Sequence, residues 1–276
     1  MISNQNISVV IPSIGTRDLT PTIKSLNSSS IKIDEIIVSV PYDIDIELFQ
    51  NFSNIIVHYS KLKGQVAQRI EGFKVAKNDI VVQLDDDIIL EKNCLEIMRD
   101  FIKKNNKIAV SAHFYDIANR KSIYDNLSTT KYNFLYYIMN GSKVGFSGII
   151  TRSGFETYPN FNCDKSIISS EWIPGGCVMH LKKNLILYNF FPFHGKAYCE
   201  DLFHSISLKK NNIKLYYHTN AKAFLEIDNI KSNFKMFMGH LRADFKIRQK
   251  LVEQNNLSKS RMFLVYLIKL FSYLFK

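Results

Sequence analysis

The chain has 276 residues and a formal net charge of +11, which by itself favours an anionic partner. The charge is concentrated at the carboxyl end, because residues 231–276 hold ten Lys and Arg against two acidic residues, a net +8. The first 230 residues carry only +3 and lack the basic profile of a nucleic-acid-binding domain. This distribution indicates a surface for something anionic at one end, and membrane lipid is then as good a candidate partner as a nucleic acid.

Hydrophobic residues make up 46% of the chain and aromatic residues 13%, which is enough for a large folded core. The four cysteines form no Cys-x-x-Cys pair, and a chain of this length does not depend on disulfides, so we expect a reduced, cytoplasmic protein. The first apolar run stops at Pro12, too early for a secretory signal.

Five short runs rich in β-branched residues predict buried strands in the first 112 residues. These runs are Ile7–Ile11, Glu35–Val40, Asn54–Tyr59, Asp79–Leu84 and Lys107–Ala112. Helical signals lie between them: Thr20 and Pro21 predict an N-cap and first turn, and apolar residues three and four apart follow Val66 and Cys94. The alternation predicts an α/β protein with a mostly parallel central sheet flanked by helices.

The second half of the sequence is less regular. Residues 114–170 are rich in Tyr, Asn, Ser and Gly without a sustained period, which predicts loops with short elements. Strand-like runs return at Gly176–Leu181, Ile213–Tyr217 and Ala221–Ile227. Loops that shape a substrate site on a fixed sheet are typical of such a pattern.

Three consecutive carboxylates, Asp85, Asp86 and Asp87, follow the predicted strand that ends at Leu84. Carboxylates this close repel one another unless a cation neutralises them, and Mg2+ prefers oxygen ligands. Asp85 and Asp87 point to the same side of an extended chain, at the strand end where α/β sheets bind ligands. We therefore expect them to bind a metal. A solvated acidic turn and the Asp nucleophile of a phosphotransfer enzyme are the alternatives.

A second segment, Gly64 to Ala76, lies just before the triplet and reads Gly-Gln-Val-Ala-Gln-Arg-Ile-Glu-Gly in its first nine positions. The order of Val9 to Ser13, this segment and Leu84 to Asp87 resembles the family 2 glycosyltransferases, which have the GT-A fold. In that family a V-I-P strand opens the nucleotide site, a G-x-x-x-A-R-N-x-G helix follows, and a D-x-D holds the metal. The resemblance runs over about residues 7–228.

The resemblance implies a nucleotide-diphosphate sugar as donor and Mn2+ or Mg2+ as cofactor. It implies that Asp85 faces the ribose or sugar and that Asp87 binds the metal, which bridges the diphosphate. Arg69 matches the family arginine, whose planar fork suits a diphosphate or the acidic cluster; an exposed helix arginine is the alternative. The expected donor-binding residues are Pro12, Ser13, Gln65, Arg69, Asp85 and Asp86.

The sequence departs from the family pattern at three places. Ile70 stands where the family has Asn after the arginine. The acidic D-D-G-S element after the second strand is replaced, which leaves Asp43 as a weak candidate for base recognition. Leu225 occupies the position of a late metal-binding histidine, so that ligand is expected to be absent, with His218 or Glu226 as the only substitutes.

Glu200 and Asp201 follow an aromatic segment and precede a predicted helix. Glycosyl transfer needs a base that takes a proton from the acceptor hydroxyl, and a carboxylate among apolar neighbours has a suitably raised pKa. In the resembled family a G-G or G-A element precedes such an E-D pair, as Gly175 and Gly176 do here. We expect Asp201 to be the base and Glu200 to support it. An ordinary acidic helix start, favoured by the helix dipole, is the alternative.

Trp172, Gly175 and Gly176 are the expected acceptor or sugar contacts. Trp172 is the only tryptophan, and an indole beside two glycines can form a stacking wall for a sugar; a core tryptophan is the alternative. Glycine lacks a Cβ and allows close approach of the backbone to a ligand.

The carboxyl-terminal segment from Lys259 is apolar and aromatic with scattered basic residues. Met262 to Phe275, 14 residues, give a helix of about 21 Å, which is shorter than the bilayer core of about 30 Å. The sequence predicts an in-plane interfacial helix whose basic face meets anionic headgroups. A helix docked on the protein's own core or on a second subunit is the alternative. The expected polar face consists of Arg261, Lys269, Ser272 and Lys276.

The sequence therefore predicts a GT-A catalytic domain at 1–230 and a basic amphipathic helical tail at 231–276. Within the domain, 1–112 is the expected nucleotide-sugar-binding half and 113–230 the acceptor half. The expected enzyme is a metal-dependent, inverting glycosyltransferase on the cytoplasmic face of a membrane, with a saccharide or lipid-linked saccharide acceptor in surface glycan or polysaccharide biosynthesis. An Asp-nucleophile phosphatase and a non-catalytic membrane-binding protein are the rivals.

Overall fold

A computed structural model describes residues 6–41, 52–124, 129–145, 147–193, 196–227 and 233–275. Its strands and helices alternate through the first half, as the sequence predicts. The elements in chain order are β1 (Ile7–Pro12), α1 (Thr20–Asn27), β2 (Glu35–Pro41), β3 (Ile55–Ser60), α2 (Gln65–Val75), β4 (Ile80–Leu84), β5 (Ile89–Leu90), α3 (Cys94–Ile102), β6 (Ile108–Asp116), α4 (Thr129–Asn140), β7 (Ile167–Ser170), β8 (Cys177–Leu181), α5 (Glu200–Lys210), β9 (Lys214–Leu225), α6 (Phe234–Gln254) and α7 (Lys259–Leu274).

In the described residues these strands form one sheet in the order β3-β2-β1-β4-β8-β6-β9-β5, with β7 paired to β9 outside this path. The first four, β3, β2, β1 and β4, run parallel. β8 lies antiparallel between β4 and β6, and β6 is parallel to β9. The predicted α/β architecture with a large central sheet is confirmed. Its uninterrupted parallel part is the amino-terminal half.

Side chains of the central strands alternate between two helical layers. Val9 and Ile11 of β1 lie in the same buried cluster as Ile23 of α1 and Met98 of α3. Val10, between them, packs in the cluster of Phe73 on α2. Because both faces of the strand are covered, consecutive positions favour apolar side chains, which explains the hydrophobic runs in the sequence; Ser8, the buried polar exception in β1, donates a hydrogen bond to Glu35.

Some predicted boundaries differ from the structure. The runs Ile213–Tyr217 and Ala221–Ile227 form one strand, β9, because the register with β6 shifts next to Ala112 and accommodates the polar residues between them. The short strands β5 and β7 were not expected. Helix α1 begins at Thr20 with Leu19 as its N-cap residue, one position before the predicted cap.

Helix α6 packs against both halves of the predicted catalytic domain. Its residues Ile247 and Leu251 share a buried cluster with Val66 of α2 and Leu202 of α5. The predicted domain boundary at residues 230 and 231 lies outside the described residues, and the division stays a prediction.

Helix α7 docks on α4 and α6 through one face. Met262, Val265 and Tyr266 are buried in a cluster that includes Met139 of α4 and Val252 of α6. This face matches the docked alternative of the sequence prediction. Within the described part of the chain, no helix has both the length and the hydropathy that crossing a membrane requires.

Two residues of the expected polar face, Arg261 and Lys269, contact the protein, and a third, Lys276, lies outside the described residues. Arg261 turns towards the protein and donates hydrogen bonds to the backbone oxygens of Tyr137 and Ile138, near the end of α4. Lys269 lies over the ring of Phe155, 4.4 Å from its centroid. Unsatisfied carbonyls at a helix end and an aromatic ring attract cations, which explains why Arg261 turns to α4 and why the exposed Lys269 lies over Phe155.

Candidate active site

The acidic triplet lies at the carboxyl end of β4, beside the end of β1. The hydroxyl of Ser13 donates to Asp86 Oδ2 over 2.7 Å. The backbone N–H of Asp85 donates to the oxygen of Gly176 over 2.8 Å, which extends the pairing of β4 with β8. The topology therefore gathers Ser13, Asp85, Asp86 and Gly176, four of the predicted site residues, at one edge of the sheet, where α/β proteins bind ligands.

A cavity of about 270 Å³ opens at this edge. Most of the expected donor-binding residues line it together with the predicted metal ligands, and their individual roles stay predictions. The lining residues are Pro12, Ser13, Ile14, Gln65, Gln68, Asp85, Asp86 and Asp87.

Helix α2 lines one side of this cavity with Gln65 and Gln68. Gln65 donates to Asp85 Oδ1 over 3.0 Å. Gln68, which the sequence prediction missed, donates to the backbone oxygens of Ser13 and Ser39 over 2.7 and 2.9 Å and so ties together the ends of β1 and β2. Its position three residues after Gln65 places both amides on one side of the helix, which is the signal that identifies it.

Arg69 joins the two acidic groups of the site. Its guanidinium lies 2.9 Å from Asp85 Oδ1 and 2.9 Å from Glu200 Oε1, and the residue is 1% exposed. The predicted contact with the acidic cluster is therefore formed, and the alternative of an exposed helix arginine is wrong. Burial opposes the charge, but the carboxylates of Glu200 and Asp85 outweigh it and raise the pKa of Arg69. The side chain stays charged and holds both carboxylates.

Glu200 and Asp201 begin α5 but have different surroundings. Glu200 is buried, and Arg69 holds its Oε1. Asp201 is partly exposed, and its Oδ1 accepts the backbone N–H of Gly175 over 2.8 Å. Cys199, just before the pair, adopts a left-handed backbone with φ 46°, which sets the direction in which the helix starts. Glu200 is thus fixed in the interior, while Asp201 is accessible.

The pKa of Asp201 is raised well above its ordinary value. Burial is the largest cause, followed by the nearby carboxylates of Glu200 and Asp85, while Arg69 and the Gly175 hydrogen bond act in the opposite direction. A carboxylate with a raised pKa accepts a proton more readily near neutral pH. A raised pKa suits the general base that the sequence predicts at Asp201, and that role stays a prediction.

The sequence comparison agrees with this geometry. Residues 8–158, more than half of the chain, match the sequence model described as glycosyl transferase family 2. The chain belongs to this family. The comparison with curated proteins found no match.

The solved structures include a neighbour of this family 2 glycosyltransferase with the same fold. The crystal structure of GalNAc-T7 with UDP, GalNAc and Mn2+ aligns with a TM-score of 0.59 at 15% sequence identity. The alignment covers 83% of this chain and 44% of the GalNAc-T7 chain, so the glycosyltransferase spans less than half of that protein. At this identity the likeness establishes the GT-A fold.

Gly175 lies where the enzyme has no room for a side chain. A Cβ at this position would lie 2.6 Å from Asp201 Oδ1 and 2.8 Å from Gln83 Nε2. We expect Gly175→Ala to displace Asp201 and lower the turnover number about 100-fold, since small misplacements of reacting groups have effects of this size. Initial-rate kinetics measure the effect.

Gly239 provides the matched control, because a Cβ there meets no atom within 4 Å. It lies in the exposed part of α6, where Gly→Ala stabilises a helix by up to about 1 kcal/mol. Gly239→Ala should keep full activity. Equal activity of the two variants would contradict the role given to the Gly175 contact.

Of the two other expected acceptor contacts, Trp172 lies in the core and Gly176 lies at the site. Trp172 is 3% exposed, and its indole N–H donates to the backbone oxygen of Thr157 over 2.8 Å. The indole lies edge-on to Tyr158, which is the core alternative rather than an open stacking wall. Gly176 lies at the site, where a Cβ would be 3.6 Å from Asp85 Oδ2.

Arg17 is a site residue that the sequence prediction missed. It lies on the loop between β1 and α1, with Nη1 3.2 Å from Asp87 Oδ2 and Nε 3.9 Å from Asp86 Oδ1. Gly15, at φ 75°, turns this loop over the triplet. The only signal in the sequence is a basic residue soon after Pro12, and spacing alone does not show which way it points.

The weaker metal candidates find no support. His218 packs edge-on against Phe101 of α3, 5.9 Å between ring centroids. Asp43, the weak candidate for base recognition, lies outside the described residues. In the described segments, no three His, Cys, Asp or Glu side chains converge as a metal-binding group. Asp85 and Asp87 stay the predicted metal ligands.

Proposed function

We propose that this glycosyltransferase moves a sugar from a nucleotide-diphosphate donor to a hydroxyl of a saccharide or lipid-linked saccharide, with inversion at the transferred carbon. The supporting observation is the bridge made by Arg69 between Asp85 at the donor cavity and Glu200 beside Asp201. One buried cation thereby fixes the distance between the donor side and the base. Holding reacting groups at a fixed distance favours a reaction that joins two substrates.

The donor cavity suits a divalent cation. Asp87 has a raised pKa, because burial and the neighbouring Asp85 both disfavour its charge, and a cation relieves this repulsion. Arg17 already places a positive group 3.2 Å from Asp87. Mg2+ and Mn2+ typically take few ligands from protein and the rest from phosphate and water, so two carboxylates and a diphosphate form a sufficient set. We propose Asp87 and Asp85 as the protein ligands.

The proposed mechanism is a single in-line displacement. Asp201 takes the proton of the acceptor hydroxyl as its oxygen forms a bond to the anomeric carbon, and the bond from that carbon to the diphosphate oxygen breaks. Gly175 holds Asp201 through the hydrogen bond to Oδ1, and the buried pair of Arg69 and Glu200 keeps α5 in register with the donor cavity. A bound divalent cation supplies charge stabilisation to the departing diphosphate.

A donor screen tests this proposal. Thermal-shift measurements with UDP-, GDP- and dTDP-sugars, each with Mn2+ or without it, should show one nucleotide that raises the melting temperature only when the metal is present. Release of the nucleoside diphosphate from that donor should then require the metal. A chain that binds none of these nucleotides in the presence of Mn2+ would contradict the proposal.

The phosphatase rival predicts a different pattern. It requires a carboxylate oxygen of Asp85 to attack phosphorus, but Asp85 Oδ1 is already held by Arg69 and Gln65. We therefore expect p-nitrophenyl phosphate to be a poor substrate. Metal-dependent hydrolysis of it, with no cleavage of nucleotide sugars, would favour the rival.

We further propose that the enzyme is a peripheral protein of the cytoplasmic membrane face, where lipid-linked acceptors for surface glycan or polysaccharide are made. The net charge of +8 over residues 231–276 supports an anionic surface as its partner. No nucleic-acid partner is proposed.

A further inference from the structure

From Phe263 onwards the outward face of α7 is apolar, and Phe275, just after the helix, continues it. Residues at positions 0, 1, 8, 11 and 12 from Phe263 fall within one sector of a helix that turns 100° per residue. Each is 46% to 86% exposed: Phe263, Leu264, Phe271, Leu274 and Phe275. A helix on the surface of a monomer normally turns such residues inward. Here the inward face is already filled by Met262, Val265 and Tyr266.

Helix α4 extends this apolar surface. Phe134 is 74% exposed and Tyr137 is 57% exposed. The two helices are attached to each other, because Arg261 of α7 donates to the backbone oxygens of Tyr137 and Ile138. The exposed side chains of both helices together form what we call the aromatic surface: Phe134, Tyr137, Phe263, Leu264, Phe271 and Leu274. Large exposed apolar surfaces mark interaction sites.

The orientation of α7 is fixed by its polar contacts. Arg261 is bound to the end of α4, and Lys269 lies over Phe155 and within 3.9 Å of Asp244. Rotating the helix to hide its apolar face would break these contacts. The exposure of these apolar side chains therefore follows from the packing of α7 against α4 and α6. It indicates a surface that binds a partner.

Charge identifies the kind of partner. Helix α6, which packs against α7, exposes four cations: Lys235, Arg242, Lys246 and Lys250. Phe234 and Met236, at the start of α6, are 52% and 45% exposed and add apolar side chains to the same pair of helices. Aromatic and aliphatic side chains combined with Lys and Arg are typical of helices that lie in the interface of an anionic bilayer.

We infer that the aromatic surface inserts into the headgroup region of an anionic membrane, with α7 parallel to the bilayer plane and the cations of α6 beside it. Helix α7 has 16 residues, about 24 Å, and does not reach across a hydrocarbon core of about 30 Å. The apolar face of α7 meets lipid, as the sequence prediction of an interfacial helix implies, but Arg261 and Lys269, which that prediction placed against the headgroups, contact the protein. The inference locates the proposed reaction but does not rest on it, because vesicle binding is measured without substrate.

Sedimentation of the full chain with vesicles tests the inference. The protein should bind vesicles of phosphatidylcholine with phosphatidylglycerol, and bind pure phosphatidylcholine more weakly. In the double variant Phe271→Ser with Leu274→Ser, the partition coefficient for anionic vesicles should fall at least tenfold. High salt should weaken binding of the unchanged protein, since the cations contribute through charge.

The matched control is Leu187→Ser with Tyr188→Ser, which removes two side chains of similar exposure, 46% and 57%, outside the aromatic surface. This variant should bind vesicles like the unchanged protein. Circular dichroism and the melting temperature serve to check that both variants fold. Equal vesicle binding by the Phe271/Leu274 variant and the unchanged protein would overturn the inference.

Light scattering without vesicles distinguishes the two possible partners of the aromatic surface, which are lipid and a second copy of the chain. A monomer that binds vesicles supports the inference. A dimer that dissociates in the Phe271/Leu274 variant and binds no vesicles would overturn it and assign the aromatic surface to a subunit interface.

Discussion

Asp201→Asn should lower the rate of sugar transfer by about 10²–10⁴-fold, the usual contribution of a positioned general base. The amide keeps an oxygen that accepts the N–H of Gly175, so the local geometry is retained, but it does not take a proton from the acceptor. Initial rates at saturating donor and acceptor measure the loss. In the unchanged enzyme the rate should rise with pH through the raised pKa of Asp201, because only the deprotonated carboxylate acts as base.

The same substitution should raise the melting temperature at neutral pH. The pKa of Asp201 is higher in the folded than in the unfolded chain, so its contribution to stability is fully present below the unfolded pKa and is lost as the pH rises through the folded pKa. Asparagine has no charge to lose. The difference in melting temperature between the two proteins should therefore shrink as the pH falls.

Glu200→Gln is the informative comparison, because the neighbouring carboxylate has a structural role. It removes the charge that balances Arg69 in the interior, and breaking a buried ion pair in this way costs about 3–5 kcal/mol. We expect Glu200→Gln to have a lower melting temperature, a change of opposite sign to that of Asp201→Asn.

Full transfer activity in Asp201→Asn would exclude Asp201 as the base. Loss of activity with a lower melting temperature would assign it a structural role.

The strands that form the donor side were predictable because local chemistry determines them. Val9, Val10 and Ile11 must all be apolar when helices cover both faces of β1, and the carboxylates that follow β4 repel without a cation. Each of these features spans only a few consecutive residues of the sequence. The rest of the donor site was predicted from the alternation of side chains along an extended chain and from the resemblance to the family 2 glycosyltransferases.

The link between donor side and base was not predictable in the same way. Arg69 and Glu200 are 131 residues apart, and Gly175 and Asp201 are 26 apart. They meet because β8 inserts antiparallel between β4 and β6 and carries Gly176 to the backbone of Asp85. Sheet order is a property of the whole fold, and a short pattern does not encode it.

The tail shows how a helix can be predicted correctly while the partners of its basic residues are missed. A helix after Lys259 follows from its composition, and water normally selects the basic side. In the folded protein, however, Arg261 donates to backbone carbonyls near the end of α4, and Lys269 lies over the ring of Phe155. These partners are distant in the sequence, so the orientation emerges only when α4, α6 and α7 are assembled.

Asp87→Ala should abolish metal-dependent donor binding and lower transfer at least about 100-fold, because the charge on the departing diphosphate loses its stabilisation. The direct readout is the affinity for the nucleoside diphosphate found in the donor screen. Mn2+ should strengthen it for the unchanged enzyme and leave it unaltered in the variant. The fold should not suffer, since burial and the neighbouring Asp85 already disfavour the charge of Asp87 and raise its pKa.

Arg17→Ala distinguishes a metal ligand from an ion-pair partner, because Arg17 is the cation that contacts Asp87 in the structure. If Asp87 serves to bind metal, Arg17→Ala retains the effect of Mn2+ on nucleotide affinity, and removing the competing guanidinium strengthens binding of the metal alone. If Asp87 serves only to hold Arg17, the two variants lose activity alike and neither changes the response to Mn2+. The second result would contradict the metal assignment while leaving the role of Asp201 intact, since Asp201 is held by Gly175 on the other side of Arg69.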